Sequence, residues 1–476
     1  ASTACETAMN RTTAARLAQT ETIWSMLHKT DAFPDKAFKE AWKNVILFSE
    51  HTWGASASGT DPHSKFTKDL WEGKKAYADN ASNQSQILYK QALSPLHVDK
   101  GGDFVHVLNT NLWNRTDVVF LDSMVNLNEK ELITRTGEKV ETQRLYDGRW
   151  AFVAENIPAL SSEVYQIVSK KKSSRRFVSM IAENKILNNG IVRVEIDEVK
   201  GTISSFKRVG DSYEYASNSG LNDYLYTGRY ASDPQGIEQI LNIRVLDDGA
   251  VAATLRIESK APGCNTLWRD VTVYKGIDRV DICNTLDKQD ILDFENVRFV
   301  FPFNIQQPEI TMDLAMSEIH PEREQLEGVN KHYYSLQNGL AVGDLEHAVC
   351  LTTVDAPFVE LGSPSGLDYR LNPRHGYGWW QSAKISPIVY SWVMTNTWRT
   401  NYKASQGGTA KFRYSLQPCN PLDLKLKQRG AEREMELVAV ASRSSQNIEQ
   451  LFRLKGRHRI ALSSIKPADD GKGDIV

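Results

Sequence analysis

Apolar residues recur at helical spacing through the first part of the chain. Leu17, Trp24 and Leu27, with Ala14 and Ala18 beside them, share one helix face. Asp31 follows that stretch, and Pro34 with Asp35 signals a new start. A second helix carries Phe38, Trp42, Val45 and Ile46 near one face. It breaks at HTWGASASGTDPHS, where Gly, Ser, Asp and Pro cluster. A third, longer helix begins near Ser64, with Phe66, Leu70, Tyr77, Ala81, Leu88 and Leu93 as its apolar stripe. Short connections between three helices predict a three-helix bundle over residues 1–96.

After Pro95 the period changes to two. DFVHVLNTNLWNRTDVVFLDSMV alternates and is rich in Val, Phe and Thr, and RWAFVAENIPALSSEVYQIVSKK continues the pattern. These strands predict a small β-sandwich over 97–180. The basic run from Lys170 to Arg176 reads as a linker or a solvated edge. From Ile186 many short β segments follow, and LDDG and KGID supply hairpin turns. Helical periodicity is nearly absent as far as Leu416. The strands are too many for one small sandwich, so a large antiparallel two-sheet sandwich is expected over 181–425, with further strands over 426–476. No repeat of about 20–50 residues is visible, which disfavours propellers and solenoids. The fold class is therefore multidomain, helical first and then all β.

Composition narrows the partners. Of 476 residues, 41% are hydrophobic and 24% charged, the balance of an ordinary globular protein. Lys and Arg total 57 against 59 Asp and Glu, so the net charge of -2 gives no global attraction to nucleic acid or to an anionic membrane. No apolar run reaches the ~18 residues of a membrane helix. The opening ASTACETAMNRTTAARL lacks the pattern of a signal peptide and has no initiator Met, so a chain processed or cut from something larger is expected. Five cysteines, an odd number without CxxC spacing, predict neither a disulfide framework nor a cysteine zinc site. They are read mostly as buried, inert thiols.

Two segments concentrate candidate chemistry. From Val45 to Gly54 a helix ends and delivers Glu50, His51, Thr52 and Trp53 into a loop held by the bundle. His51 is a candidate metal ligand through one imidazole nitrogen, set against the blander reading of a hydrogen-bonded structural histidine. No second His, Asp or Glu lies at ligand spacing nearby, so the segment does not complete a metal site. The other segment runs from Tyr377 to Lys384, with Thr397–Tyr402 beyond it. Aromatics stack on sugar faces while amides and cations bond hydroxyls, but composition alone favours core packing. His375 with Tyr377 offers a weaker pairing for lyase or epimerase chemistry. Asp247-Asp248-Gly249 and Asp469-Asp470-Gly471 read as turns rather than acid/base dyads. GxSxG, P-loop, GxGxxG and HExxH motifs are absent.

Several stretches, in order, resemble glycoside hydrolase family 38, the retaining α-mannosidases. They are WKNVILFSEHTWGA at 42–55, VHVLNTNLWNRTDVV, RWAFVAENIPALSSEVYQI, ILNNGIVRVEIDEVKGTISSF, ENVRFVFPF and NTWRTNYKASQGGTAKFRY. Ser161 and Ser162 stand where the family more often has glycine. The resemblance spans nearly the whole chain and concerns the part that follows the family's catalytic barrel. It implies a helical middle domain, then a small β-sandwich and a large antiparallel supersandwich of the galactose-mutarotase type. It also implies two-step retention by a nucleophilic carboxylate and an acid/base carboxyl. A zinc ion is held by a His and two Asp from the barrel and one His from the middle domain, and His51 matches that last ligand. Thr52 stands where some members have Asp. By the same resemblance the barrel should precede residue 1, so the nucleophile and the acid/base are expected in none of these residues. The last strands are expected to continue beyond Val476. The reading is a non-barrel portion of an enzyme acting on an α-mannoside or oligosaccharide, inactive by itself, with no nucleic-acid or membrane partner. Glu50, Thr52, Trp53, Trp398, Asn401 and Tyr402 are the expected sugar-side residues. The alternative is a stand-alone carbohydrate-binding sandwich without catalysis.

Overall fold

A computed structural model describes the chain except residues 1, 29–32, 51–56, 99–100, 122–124, 171–176, 184, 229–232, 365–379, 381, 398–401, 454–463 and 471. Three helices lead: α1 (Ala4–Leu27), α2 (Asp35–Phe48) and α3 (Lys65–Leu93). α3 begins where the capping chemistry places it, with the Ser64 hydroxyl accepting from the Thr67 amide at 3.2 Å. Leu17, Ile23, Trp24, Phe38, Val45, Ala81 and Leu88 form the bundle core. α1 is not a one-faced helix. From Gln19 to Met26 every residue is buried, because α1 lies between the other helices and the β domains. Gln19 donates to Thr110 Oγ1 at 3.2 Å and to the Glu436 carbonyl at 2.9 Å, and the Trp42 indole donates to Glu21 at 3.0 Å.

The expected stripe of α3 needs correction. Its buried positions are Thr67, Lys74, Ala78, Ala81, Ser85, Leu88, Ala92 and Leu93, a helical series of mostly small or polar residues. Phe66 is 62% exposed. Small side chains let α3 approach α1 and α2 closely, and the hydrophobicity of Phe66 could not reveal which face that was.

The small sandwich packs a five-stranded sheet against a three-stranded one. Phe104–Asn109 pairs with Ser161–Ser169 in the first sheet, and Arg115–Leu121 pairs with Trp150–Ile157 in the second. Val105, Val107, Val119, Leu132, Phe152 and Tyr165 fill the space between. A far-off strand, Val438–Ser442, completes the edge beside Phe104–Asn109. Residues 426–476 therefore do not begin as strands. α4 (Leu426–Glu434) comes first, built from straight-chain helix formers with only Leu426 and Gly430 buried, so no apolar period announced it.

The large sandwich has a nine-stranded sheet whose middle runs Cys264–Tyr274, Val280–Lys288, Gly408–Cys419, Ala348–Thr353. Facing it are a five-stranded and a four-stranded sheet. Val280–Lys288 alternates strictly between buried and half-buried positions, as a period-two pattern requires. The LDDG and KGID turns lie in the hairpins on either side of Ala252–Lys260 and Cys264–Tyr274. Gly201 takes φ +64 beneath the fully buried Arg269 guanidinium, where any side chain would collide with it. Among the described residues, no helix is long and apolar enough to cross a membrane.

Candidate functional site

α2 ends one turn before the loop that carries the histidine candidate, and two neighbouring helices fix that end. The Asn10 amide of α1 donates to the Val45 carbonyl at 3.3 Å and to Ser49 Oγ at 3.2 Å. Lys74 of α3, 9% exposed, points its ammonium at the orphan carbonyls of α2. Its Nζ donates to the Leu47 carbonyl at 2.8 Å, the Glu50 carbonyl at 3.1 Å and the Glu50 carboxylate at 3.4 Å. A cation at a helix C-terminus is favoured by the macrodipole as well as by these bonds. Beyond the loop, fully buried Ser58 accepts from the Trp71 indole at 3.0 Å. Trp71 and Lys74 lie three apart on one face of α3, so both feet of the 51–56 loop stand on the same helix. His51, Thr52 and Trp53 themselves lie outside the described residues.

The sandwich reaches the same place. Tyr402 packs against the Phe48–Ala78 cluster together with Met9, Trp71 and Tyr77. Glu50, two residues after Phe48, and Tyr402 are thus the two sugar-side candidates that the fold brings into one neighbourhood. The following residues dock on the start of α1. Lys403 pairs with Glu6 at 3.3 Å, and Gln406 Oε1 accepts from the Ala4 amide at 2.8 Å. Asn396 holds the other side of this turn. Its amide donates to the carbonyls of Ile291, Asp293 and Ala404 at 3.1, 2.8 and 3.0 Å, and its oxygen accepts from the Glu295 amide at 2.7 Å. Trp398 and Asn401 lie outside the described residues, as do Tyr377, Trp379 and His375.

Trp380 is described, and its ring is already engaged. Its backbone N–H donates to His332 Nε2 at 3.0 Å, its ring meets the His332 ring edge-on at 4.7 Å, and the Lys384 ammonium sits 4.2 Å over it. Beside it lies a group that sequence reasoning missed. Arg298 bonds Glu360 twice, at 2.5 and 3.2 Å, and stacks over Trp392 at 4.8 Å, while Tyr333 meets Trp392 edge-on at 5.8 Å. The signal was present in ENVRFVFPF. Val297, Phe299 and Phe301 enter the core, so Arg298 must face the other side of the sheet. Burial pushes the Tyr333 phenol up, and Tyr402 adds to that shift. Burial pushes the His332 imidazole down, against the pull of Glu360.

The carboxylates around these groups are tied to cations: Glu50 to Lys74, Glu360 to Arg298, and Glu322 to Lys331 at 3.0 Å. Among the described residues, no group of three or more His, Cys, Asp or Glu is placed to hold a metal. A separate cavity of about 330 Å³ lies between α1, both sandwiches and the residues after α4. Arg11, Arg149, Arg413 and Arg433 line it, and none of the sugar-side candidates does. The acidic pairs are not acid/base dyads: Asp247 and Asp248 end the strand Gln239–Asp248 rather than forming the turn, and Asp469 and Asp470 lie in a turn. Asp247 accepts from the Tyr146 amide at 2.8 Å, Asp248 from Ser179 Oγ at 2.7 Å, and Asp470 from the Lys472 amide at 3.0 Å.

No protein-family model and no curated protein matches the chain. Solved structures do. An alpha-mannosidase from Enterococcus faecalis V583 superposes with a TM-score of 0.68 at 13% identity, over 92% of this chain and 57% of that one. A protein in the glycosyl hydrolase family 38, also from Enterococcus faecalis, gives 0.67 at 13%, over 93% of this chain and 60% of that one. The chain has the fold of these proteins, helices first and antiparallel sandwiches after, and spans somewhat over half their length. The family resemblance read in the sequence is thus matched at the level of fold.

Proposed function

We propose that this chain is the non-barrel portion of a retaining α-mannosidase-type glycoside hydrolase that acts on terminal α-mannosides. Its own task is to build one wall of the sugar pocket. The loop of Glu50, His51, Thr52 and Trp53 closes that wall from the helices, and Trp398, Asn401 and Tyr402 close it from the sandwich. What supports the reading is the fold shared over nearly the whole chain, together with the meeting of Tyr402 and the Lys74-clamped end of α2. A retaining mechanism needs two carboxyl groups about 5–5.5 Å apart, one of them a free nucleophile. Glu50, Glu360 and Glu322 are each paired with a cation, which leaves none of the three a free nucleophile; in this reading the chain binds and positions while the reacting carboxyls come from the barrel.

Zinc enters the reading through His51 alone. The described residues do not make a zinc site. By the family resemblance, His51 would hold the zinc together with ligands from the barrel, and the ion would bind mannose hydroxyls.

The test is made in extract from the source cells with antibody against this chain. The expected band runs far above 53.6 kDa, and depletion with the antibody removes hydrolysis of an aryl α-mannoside. The isolated chain is expected to hydrolyse nothing. Hydrolysis by the isolated chain, abolished by a chelator, would overturn the division of labour. A band at 53.6 kDa, with α-mannosidase activity left in the depleted extract, would favour the stand-alone carbohydrate-binding reading instead.

A further inference from the structure

Cys350 and Cys419 lie on adjacent antiparallel strands of the nine-stranded sheet, Ala348–Thr353 and Gly408–Cys419. In that ladder Cys419 faces Ala348 and Cys350 faces Gln417, so the cysteines share one face on a diagonal. Their sulfurs are 3.3 Å apart, and both side chains are buried. The odd cysteine count and the lack of CxxC concealed this pair, whose members are brought together only by the sheet register.

The surroundings give the two sulfurs different characters. The Cys350 and Cys419 thiols share a hydrogen bond in which either can be the donor; that bond, with Arg429 and Arg208 assisting and burial opposing, holds Cys419 below its ordinary value. Cys350 is held above its ordinary value by the same bond and by burial. Burial instead raises Cys264 and Cys283. Two buried thiols in hydrogen-bond contact, with Arg429 and Arg208 near enough to favour a thiolate, are the arrangement that dithiol oxidation uses. A cavity of about 420 Å³ is lined by Ala341, Ala348 and Leu424, which also belong to the apolar cluster around the pair, while the two cysteines themselves do not line it.

We propose that Cys350 and Cys419 are a reversible disulfide site oxidised by hydrogen peroxide. The Cys419 thiolate attacks one peroxide oxygen, the O–O bond breaks, and a sulfenic acid and hydroxide result. The Cys350 sulfur then attacks the sulfenic sulfur and the S–O bond breaks. The departing hydroxide and the protons released by the two thiols complete the waters. Two thiols and one peroxide give one disulfide and two waters, with sulfur oxidised and peroxide oxygen reduced. Forming the bond means closing the gap from 3.3 Å to about 2.05 Å, with the two strands drawn together on this diagonal as far as disulfide geometry requires. The bond ties off the segment between the two cysteines, which carries Trp380 and Tyr402.

The folded wild-type chain is treated with hydrogen peroxide, alkylated in denaturant and mapped by mass spectrometry. The expected product is a peptide pair linked through Cys350 and Cys419, lost again on adding dithiothreitol. In Cys350→Ser the link disappears and dimedone labels Cys419 instead. Full alkylation of both cysteines in the peroxide-treated wild type, or a link to Cys5 or Cys283 in its place, overturns the proposal. The wild-type map decides the matter even if the variant does not fold.

Discussion

Lys74 is the residue on which the end of α2 depends. A buried ammonium bonded to two carbonyls and a carboxylate is a side chain whose loss removes three bonds from the end of α2 at once. Lys74→Met keeps the packing of the stem and removes those bonds. It is expected to cost about 1–3 kcal/mol in urea unfolding. A loss below about 0.5 kcal/mol would mean that the α2 terminus is held by Asn10 alone. Several residues of the recognised stretches likewise do mechanical work. Asn109 bonds the Trp113 and Ile157 carbonyls at 2.8 and 3.0 Å, and the Trp113 indole donates to Glu432 at 2.6 Å. Arg115 donates to the carbonyls of Glu432 and Met435 at 3.0 and 2.7 Å. In VHVLNTNLWNRTDVV, then, the polar residues between the apolar ones join the small sandwich to α4.

At the scale of elements, α3 separates hydrophobicity from burial. Phe66→Ser, at an exposed position, should change stability by less than about 0.5 kcal/mol. Ala81→Leu, at a fully buried contact between helices, should cost about 1–3 kcal/mol by overpacking. Thermal or urea melts of the two variants distinguish this reading of the stripe from the one the sequence suggested. The same contrast explains what was legible. Helix starts and hairpin turns showed through because Ser64, LDDG and KGID act on their own neighbours. The strand Val438–Ser442 and the Cys350–Cys419 pair did not, because each is defined by a partner hundreds or tens of residues away. Asn396 and Arg298 were hidden for a related reason, since the partners of Asn396 lie in loops at either end of the neighbouring strands and that of Arg298 lies on another strand. Of the candidate site, Glu50 and Tyr402 were put in one set only through the family resemblance. Nothing in the local pattern links a helix end to a loop more than three hundred residues on.

At the scale of the whole molecule, Asp117 sits where three parts meet. Arg115 of the small sandwich bonds it at 2.9 Å, and Arg279 of the large sandwich bonds it at 2.9 Å while also pairing with Asp281 at 2.8 Å. Burial alone would push its carboxyl up, but the Arg279 and Arg115 guanidiniums outweigh that and hold it at about 2. The unfolded chain takes up the proton near the ordinary value of ~3.9. A carboxyl depressed on folding stabilises fully above the unfolded value, and its contribution is lost as pH falls toward the folded one. At neutral pH the contribution is about 2–3 kcal/mol. Asp117→Asn removes it and leaves two buried guanidiniums short of a counter-charge, so a loss of about 3–5 kcal/mol is expected near neutrality. The diagnostic difference lies in the pH profile. Urea midpoints of the wild type should fall more steeply than those of the variant as pH drops from about 5 toward 3, the part of the window closest to the unfolded value. Parallel profiles would mean that Asp117 gains nothing from its arginines on folding. The two sandwiches would then be held together chiefly by the apolar contact of Val118, Ala151, Val251 and Tyr274 that adjoins this joint. A steeper wild-type profile would make the ion cluster the element that fixes the small sandwich against the large one. The orientation of the surfaces that meet at Glu50 and Tyr402 would then depend on it as well.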